Sequence, residues 1–225
     1  KDRFGMTDLM ELDGPRQGPA SGGTAKQLVI LLHGLGADGN DLIGLAPHWA
    51  DILPDAAFVS PNAPYPCDMA PMGYQWFSVQ DRSPEAMLAG VRMAAPALDA
   101  FIDRELAQSG LPASQVALVG FSQGTMMSLY VAPRRAAELA GVVGFSGRLV
   151  APERLAEEAV SHPPVLLIHG EADDVVPFES LALAEQGLAG AGFTVTSQAR
   201  PRLGHGIDLE GLQHGGAFLK AAFAG

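Results

Sequence analysis

The sequence predicts an α/β protein built on a mostly parallel central sheet with helices on both faces. Three observations carry this reading. Short aliphatic runs such as Gln27–His33 and Val116–Val119 recur along the chain. They are too short for buried helices and lack the polar alternation of a strand with one wet face, which suits parallel strands covered on both sides. They alternate with stretches of helical spacing, without internal repeats, and that order places helices on both faces of one sheet. Hydrophobic residues make up 48% of the 225 residues and charged ones 17%, enough for a sizeable core in one domain spanning 1–225.

Residues 1–26 are polar and rich in Gly and Pro. Met6–Leu12 could form a short edge strand, and the rest reads as surface connection. Gln27–His33 is a central strand. Asn40 or Asp41 can cap a helix running to about Ile52, and Ala56–Ser60 is a further strand. Prolines punctuate residues 61–84, a long loop carrying Met69, Met72, Tyr74, Trp76 and Phe77. So much apolar surface in one loop either lines a pocket or covers the core. Pro84–Ser109 is a helix, with Leu88, Val91, Ala95, Leu98 and Ile102 at steps of three and four, stopped by Gly110. Strands follow at Val116–Val119, Gly141–Phe145, Pro164–His169 and Phe193–Ala199. Helices are expected at Thr125–Ala132, Ser180–Gly190 and Ile207–Ala222.

A formal net charge of -11 argues against nucleic acid or an anionic membrane surface as the main partner. The single cysteine, Cys67, excludes an internal disulfide and favours the cytoplasm. No apolar run approaches the ~18 residues of a spanning helix. No secretory leader is visible in the stretch from Lys1.

The chemistry gathers at strand ends, where open α/β sheets place their sites. Gly120-Phe121-Ser122-Gln123-Gly124 sits between a strand and a helix and reads as a nucleophile elbow. Its serine is presented on a strained turn, with the helix N-terminus aimed where an oxyanion would form. After the strand ending at His169 come Asp173 and Asp174, and after the last strand comes His205. A serine hydroxyl needs a base to take its proton, and the base needs a carboxylate to fix its tautomer. Ser122, then Asp173 or Asp174, then His205 is the chain order of α/β-hydrolases. The two oxyanion donors would be the backbone N–H groups of Gln123 and of Leu35, in the loop after the first central strand. His33 and His169 stand at strand ends and are expected to fix loops by hydrogen bonding. His48, His162 and His214 look like surface or helix residues. No histidine pairs with Cys, Asp or Glu at metal spacing, so no metal and no cofactor is expected. Gly34 to Gly39 also spells a dinucleotide-binding pattern, with Asp51 or Asp55 as a ribose partner. That reading leaves the Ser–Asp–His order as coincidence.

Leu32-His-Gly-Leu-Gly36, Gly120-Phe-Ser-Gln-Gly124, His169-Gly-x-x-Asp-x-Val-Val-Pro177 and Gly204-His205 together resemble the phospholipase/carboxylesterase family, which includes acyl-protein thioesterases and small bacterial carboxylesterases. The resemblance runs from about Gln27 to the end of the chain. It implies an α/β-hydrolase fold, a triad of Ser122, Asp173 and His205, oxyanion donors Leu35 and Gln123, hydrolysis of carboxylic or thio esters without a cofactor, and often a homodimer. It also chooses Asp173 over Asp174. Two positions depart from the family pattern: Thr125 where a further Gly is common, and Asp174 where Pro is frequent.

The leading expectation is a serine esterase working through an acyl-enzyme, with activity falling as His205 protonates. Gly147–Pro164 is too short for a large helical lid, so an open cleft is expected, walled by Met72, Trp76 and Val175. A lysophospholipase and an acyl-protein thioesterase are alternatives within the same chemistry. A hydrolase-fold binding protein without catalysis and a nicotinamide oxidoreductase are alternatives of other classes.

Overall fold

The computed structural model describes residues 10–225. Seven strands form one sheet: β1 (Arg16–Gln17), β2 (Gln27–Leu32), β3 (Ala56–Val59), β6 (Val116–Phe121), β7 (Gly141–Phe145), β8 (Val165–Gly170) and β9 (Val195–Arg200). Their spatial order is β1-β3-β2-β6-β7-β8-β9. Only β1 runs antiparallel, paired through Arg16 with Val59; every other pairing is parallel. Two short strands, β4 (Tyr65–Pro66) and β5 (Tyr74–Gln75), make a separate hairpin. The helices are α1 (Gly39–Ile43), α2 (Ala46–Trp49), α3 (Pro84–Ser109), α4 (Gln123–Val131), α5 (Pro152–Glu158), α6 (Glu179–Gly190) and α7 (Leu209–Ala224).

Side chains of the central strands alternate between two cores, as the pleat requires. Leu28, Ile30, Leu32, Val116 and Leu118 face a cluster shared with α3, α4, α5 and α6. Val29, Leu31, Ala117 and Val119 face a second cluster shared with α1, α2 and α7. Both faces of β2 and β6 are therefore dry, which explains their unbroken aliphatic runs. The chain leaves β2 towards β3 on one side and returns to β6 on the other. The crevice at the carboxyl ends of β2 and β6 is thus the point where strand order reverses, the usual ligand position in open α/β sheets.

Three sequence expectations need correction. Among the described residues the N-terminal edge strand is β1; of the expected Met6–Leu12, residues 6–9 lie outside the described residues and 10–12 are irregular. The single helix expected through Ile52 is two short ones. Asp38, not Asn40 or Asp41, caps the first, accepting from the N–H of Asn40 at 2.8 Å. Gly44 ends it, and Pro47 occupies the first turn of the next, where its missing N–H costs nothing. The long loop contains the β4–β5 hairpin, whose two strands only its cross-strand pairing reveals. The long helix α3 falls on the expected residues, with Ser83 capping the Ala86 N–H and Gly110 left-handed at φ 68°. Between β7 and β8 stands only α5, seven residues long, so that connection supplies no large helical lid. Among the described residues, no helix is long and apolar enough to cross a membrane.

Candidate active site

The elbow is built by close backbone approach. Ser122 follows β6 with φ 53° and ψ -112°, outside the ordinary wells of a non-glycine residue. The strain is held by neighbours: the Ser122 N–H donates to Phe145 O at 2.8 Å, and α4 starts at once behind it. A Cβ on Gly120 would lie 2.4 Å from the Thr125 nitrogen, and one on Gly124 would lie 1.9 Å from Leu32 O. Both flanking positions therefore require glycine. Thr125, the departure from the family pattern, fills a gap left by two other glycines. A Cβ on Gly144 would meet its Cγ2 at 2.5 Å, and one on Gly147 its Cβ at 2.3 Å. Its hydroxyl donates to Phe145 O at 2.9 Å, so the substitution is packed and hydrogen-bonded.

The structure brings Asp173 and His205 together. His205 Nδ1 lies 2.8 Å from Asp173 Oδ2, which fixes Nδ1 as the protonated nitrogen and leaves Nε2 an acceptor. Asp173 Oδ1 accepts the N–H groups of Val175 and Val176, both at 2.9 Å. Burial raises the pKa of this carboxyl, but the His205 bond and the two backbone donors outweigh it, and the net direction is down. Asp174 makes none of these contacts and is exposed. His169, expected only to fix a loop, donates through Nε2 to Val176 O at 2.9 Å and lies 3.2 Å from Asp173 Oδ2. It therefore supports the same carboxylate from behind. The Phe121 ring packs against the His205 ring at 4.9 Å between centroids.

Ser122 and His205 line one open cleft of about 580 Å³ with Gly34, Leu35, Gln123 and Val175. Ser122 Oγ makes no hydrogen bond within the described residues; such contacts are often long before substrate tightens them. The N–H groups of Leu35 and Gln123 have no acceptor among the described residues, whereas those of Gly36 and Ala37 are taken by Tyr74 O and Gly34 O. Two orphan donors beside the serine suit an oxyanion. The same pattern counts against the dinucleotide reading. Three N–H groups of the Gly34–Gly39 loop, those of Gly36, Ala37 and Gly39, are already bonded inside the protein, and the helix behind it is only five residues long. Among the described residues, no group of three His, Cys, Asp or Glu side chains is placed to hold a metal.

Of the three expected cleft walls, only Val175, 50% exposed, stands there. Trp76 is 0% exposed and Met72 80% exposed, and neither lines the cleft. Met72 sits outside it beside Gly73, a left-handed turn at φ 83°. Trp76 lies beneath: its Nε1 donates to His33 O at 3.0 Å and its N–H to Gln123 Oε1 at 2.9 Å. Gln123 Nε2 in turn donates to Phe77 O at 2.7 Å. The aromatic loop thus clamps the two segments that carry the unpaired Leu35 and Gln123 N–H groups instead of walling the cleft. The walls that sequence reasoning missed are Val79, Arg82, Met87, Met126 and Arg148. Arg148 follows the end of β7, so the strand-end rule could have found it. Met87 and Met126 lie in α3 and α4 and look like any core-facing helix residue.

Gly73 also packs on the His33–Gly36 loop, where an added Cβ would lie 2.1 Å from Gly36 O. Gly73→Ala is expected to displace that loop and lower kcat about 10²-fold, the usual cost of one oxyanion donor, with little change in far-UV circular dichroism. Equal kcat in the two proteins would show that the hairpin does not set the loop.

His33 holds the same loop as a neutral imidazole. Its Nε2 accepts the Ala63 N–H at 2.9 Å, so Nδ1 carries the proton and donates to Gly34 O at 2.7 Å. Burial pushes its pKa below the ordinary 6.5, the Gly34 bond opposing only in part. The unfolded chain therefore binds a proton that the folded one refuses, and stability falls as pH drops below about 6.5 until the folded value is reached. His33→Ala should cost about 2–4 kcal/mol by orphaning two buried groups, and should flatten that limb of the stability curve. Denaturant melts from pH 5 to 8 would read both effects.

The phospholipase/carboxylesterase family matches residues 19–223 of this chain. Esterase YpfH of Escherichia coli K12 is 35% identical over 190 residues, which cover 84% of this chain and 80% of that protein. Acyl-protein thioesterase 1 of Gibberella zeae is 28% identical, over 85% of this chain and 88% of its own. Among solved structures, esterase PE8 superposes with a TM-score of 0.90 at 45% identity, covering 94% of this chain and 99% of that one. With the elbow, the strand order and the matched span in agreement, the chain belongs to the phospholipase/carboxylesterase family of α/β-hydrolases.

Proposed function

We propose that the esterase activity of this chain runs through an acyl-enzyme on Ser122, with His205 as base and then acid, Asp173 holding His205, and the Leu35 and Gln123 N–H groups binding the oxyanion. The observation that carries this reading is the 2.8 Å contact of His205 Nδ1 with Asp173 Oδ2 at the rim of the cleft that also holds Ser122. In the first half-reaction Ser122 Oγ bonds to the ester carbonyl carbon and its proton passes to His205 Nε2. The tetrahedral intermediate collapses, the alcohol leaves with that proton, and the acyl group stays on Ser122. Water, deprotonated by His205, then releases the acid and restores the serine. No step needs a cofactor.

Initial rates on a 4-nitrophenyl ester ladder from acetate to palmitate test the reading, and the position of the maximum reports the acyl depth the cleft accepts. Inactivity across the whole ladder would favour a non-catalytic binding role. Thioester cleavage by the same machinery is supported by the relative named acyl-protein thioesterase 1. Palmitoylated peptide and lysolipid compared with a short soluble ester separate thioesterase, lysophospholipase and carboxylesterase. A cytoplasmic setting is favoured by the single free cysteine, Cys67. A homodimer, as the resemblance implies, is testable by light scattering.

A further inference from the structure

Two arginines, Arg82 and Arg148, line the catalytic cleft together with Ser122 and His205. The same two residues, with Met87, also line an adjoining cavity of about 540 Å³. They therefore mark where one space passes into the other. Neither has a carboxylate within 4.0 Å among the described residues. This is unusual in the fold. Arg16, Arg92, Arg104, Arg134, Arg135, Arg154 and Arg200 each hold an acidic partner, and of the described arginines only Arg202 joins the two in having none. In a chain of net charge -11, two cations left unpaired in the one cleft that carries the nucleophile are a concentrated exception.

The two faces of the cleft say which half of an ester would reach them. The leaving alcohol must lie beside His205, which returns its proton. His205 is flanked by Phe121, which with Ile207 belongs to the core under α1, α2 and α7. The acyl half then points the other way, over Val79, Met87, Met126 and Val176, all of the core under α3 and α4. Met87 of that wall lines both spaces together with Arg82 and Arg148, so the two arginines border it. Asp174 also lines the cleft, so one acidic side chain shares that space with the two arginines without pairing with either. Glu85 and Glu153 line the second cavity, where they oppose an anion running past the arginines.

From this we infer that the cleft selects acyl groups ending in a carboxylate: half-esters of medium-chain dicarboxylic acids, with the ester carbonyl at Ser122, the methylenes on the methionine wall and the distal carboxylate at Arg82 and Arg148. A guanidinium pair suits a carboxylate because each can offer two parallel N–H donors. The inference rests on the esterase reading, and the experiment separates the two.

The probes are 4-nitrophenyl hydrogen adipate, suberate and sebacate, each compared with its distal methyl ester, and 4-nitrophenyl butyrate as a short neutral reference. All are read as 4-nitrophenol release, corrected for uncatalysed hydrolysis. Wild type is expected to favour the charged member of a pair by about tenfold in kcat/KM, the size of a partly solvated charged hydrogen bond. The preference should peak at one chain length and shrink as salt is raised from about 0.05 to 0.5 M. Arg82→Ala/Arg148→Ala should bring the kcat/KM ratio within each charged and neutral pair to about one, through a raised KM for the charged member. Arg148→Glu should reverse the preference. Butyryl esters of 4-hydroxybenzoate and of its methyl ester place the charge on the alcohol instead. A preference confined to that arm, equal rates within every acyl pair, or a double variant that lowers charged and neutral substrates alike would overturn the inference. Butyrate activity lost in Ser122→Ala would leave the esterase reading standing in each of those cases. Inactivity of wild type on all of these esters would remove both.

Discussion

Ser122→Ala is expected to lower kcat on any ester by about 10⁵–10⁶-fold while the protein stays folded. The size follows from the mechanism. Without Oγ no acyl-enzyme forms, and what remains is the oxyanion donors and the binding of substrate, acting on a direct attack by water. Folding should be spared because the change removes one oxygen that bonds nothing among the described residues. The strained φ of 53° is paid equally by Ala and Ser, since both carry a Cβ. Thermal melts of the variant should lie within a degree or two of wild type. A variant that retains more than about a hundredth of wild-type kcat would mean that another group carries the attack.

The second large effect is expected at the carboxylate. Asp173→Asn should lower kcat by about 10⁴-fold with KM little changed, whereas Asp174→Asn should stay within a few-fold. The contrast follows from the hydrogen bonds. An Asn side chain at 173 can still accept the Val175 and Val176 N–H groups through its oxygen, so the turn survives. Its amide nitrogen then faces His205 Nδ1 as a donor. That forces the proton to Nε2, and a histidine protonated there cannot take one from Ser122. Asp174 has no bond to lose within this network. The same geometry predicts the acid behaviour. Asp173 titrates below its ordinary 3.8, so it stays charged while the medium is acidified to that point. Its stabilising contribution is fully present above about 3.8 and is lost as pH falls through the lower folded value.

How much of this was legible in the sequence depended on whether one segment or several had to meet. The central strands were readable because both faces of β2, β6, β7 and β8 are dry, so apart from Gln27 at the start of β2 and His169 near the end of β8 every residue of each run is apolar or glycine. The elbow was readable because Gly120 and Gly124 are forced by backbone contacts internal to one strand–turn–helix unit. Asp173 and His205 were readable from chain order, and the choice between Asp173 and Asp174 came from family resemblance. Only the structure gives that choice a physical reason, in the two backbone donors aimed at Oδ1. Long-range packing was not legible. Trp76 and Met72 sit four residues apart in one apolar loop, yet one is sealed beneath His33 and Gln123 and the other stands in solvent. The direction of each is set by the β4–β5 pairing and by Gly73, which no periodicity announces. The break between α1 and α2 could have been read from Gly44 and Pro47. The cleft walls Met87 and Met126 could not, because a helix residue facing a pocket and one facing the core share the same spacing.

The central claim is that Ser122 is a nucleophile activated by His205. Its most direct measurement is covalent labelling with a fluorophosphonate, located by peptide mass mapping and timed in wild type and His205→Ala. The account predicts one adduct, on the peptide carrying Ser122, formed at least 10³-fold more slowly without His205. An adduct on another serine such as Ser128 or Ser146, or labelling of Ser122 at an unchanged rate in His205→Ala, would contradict it.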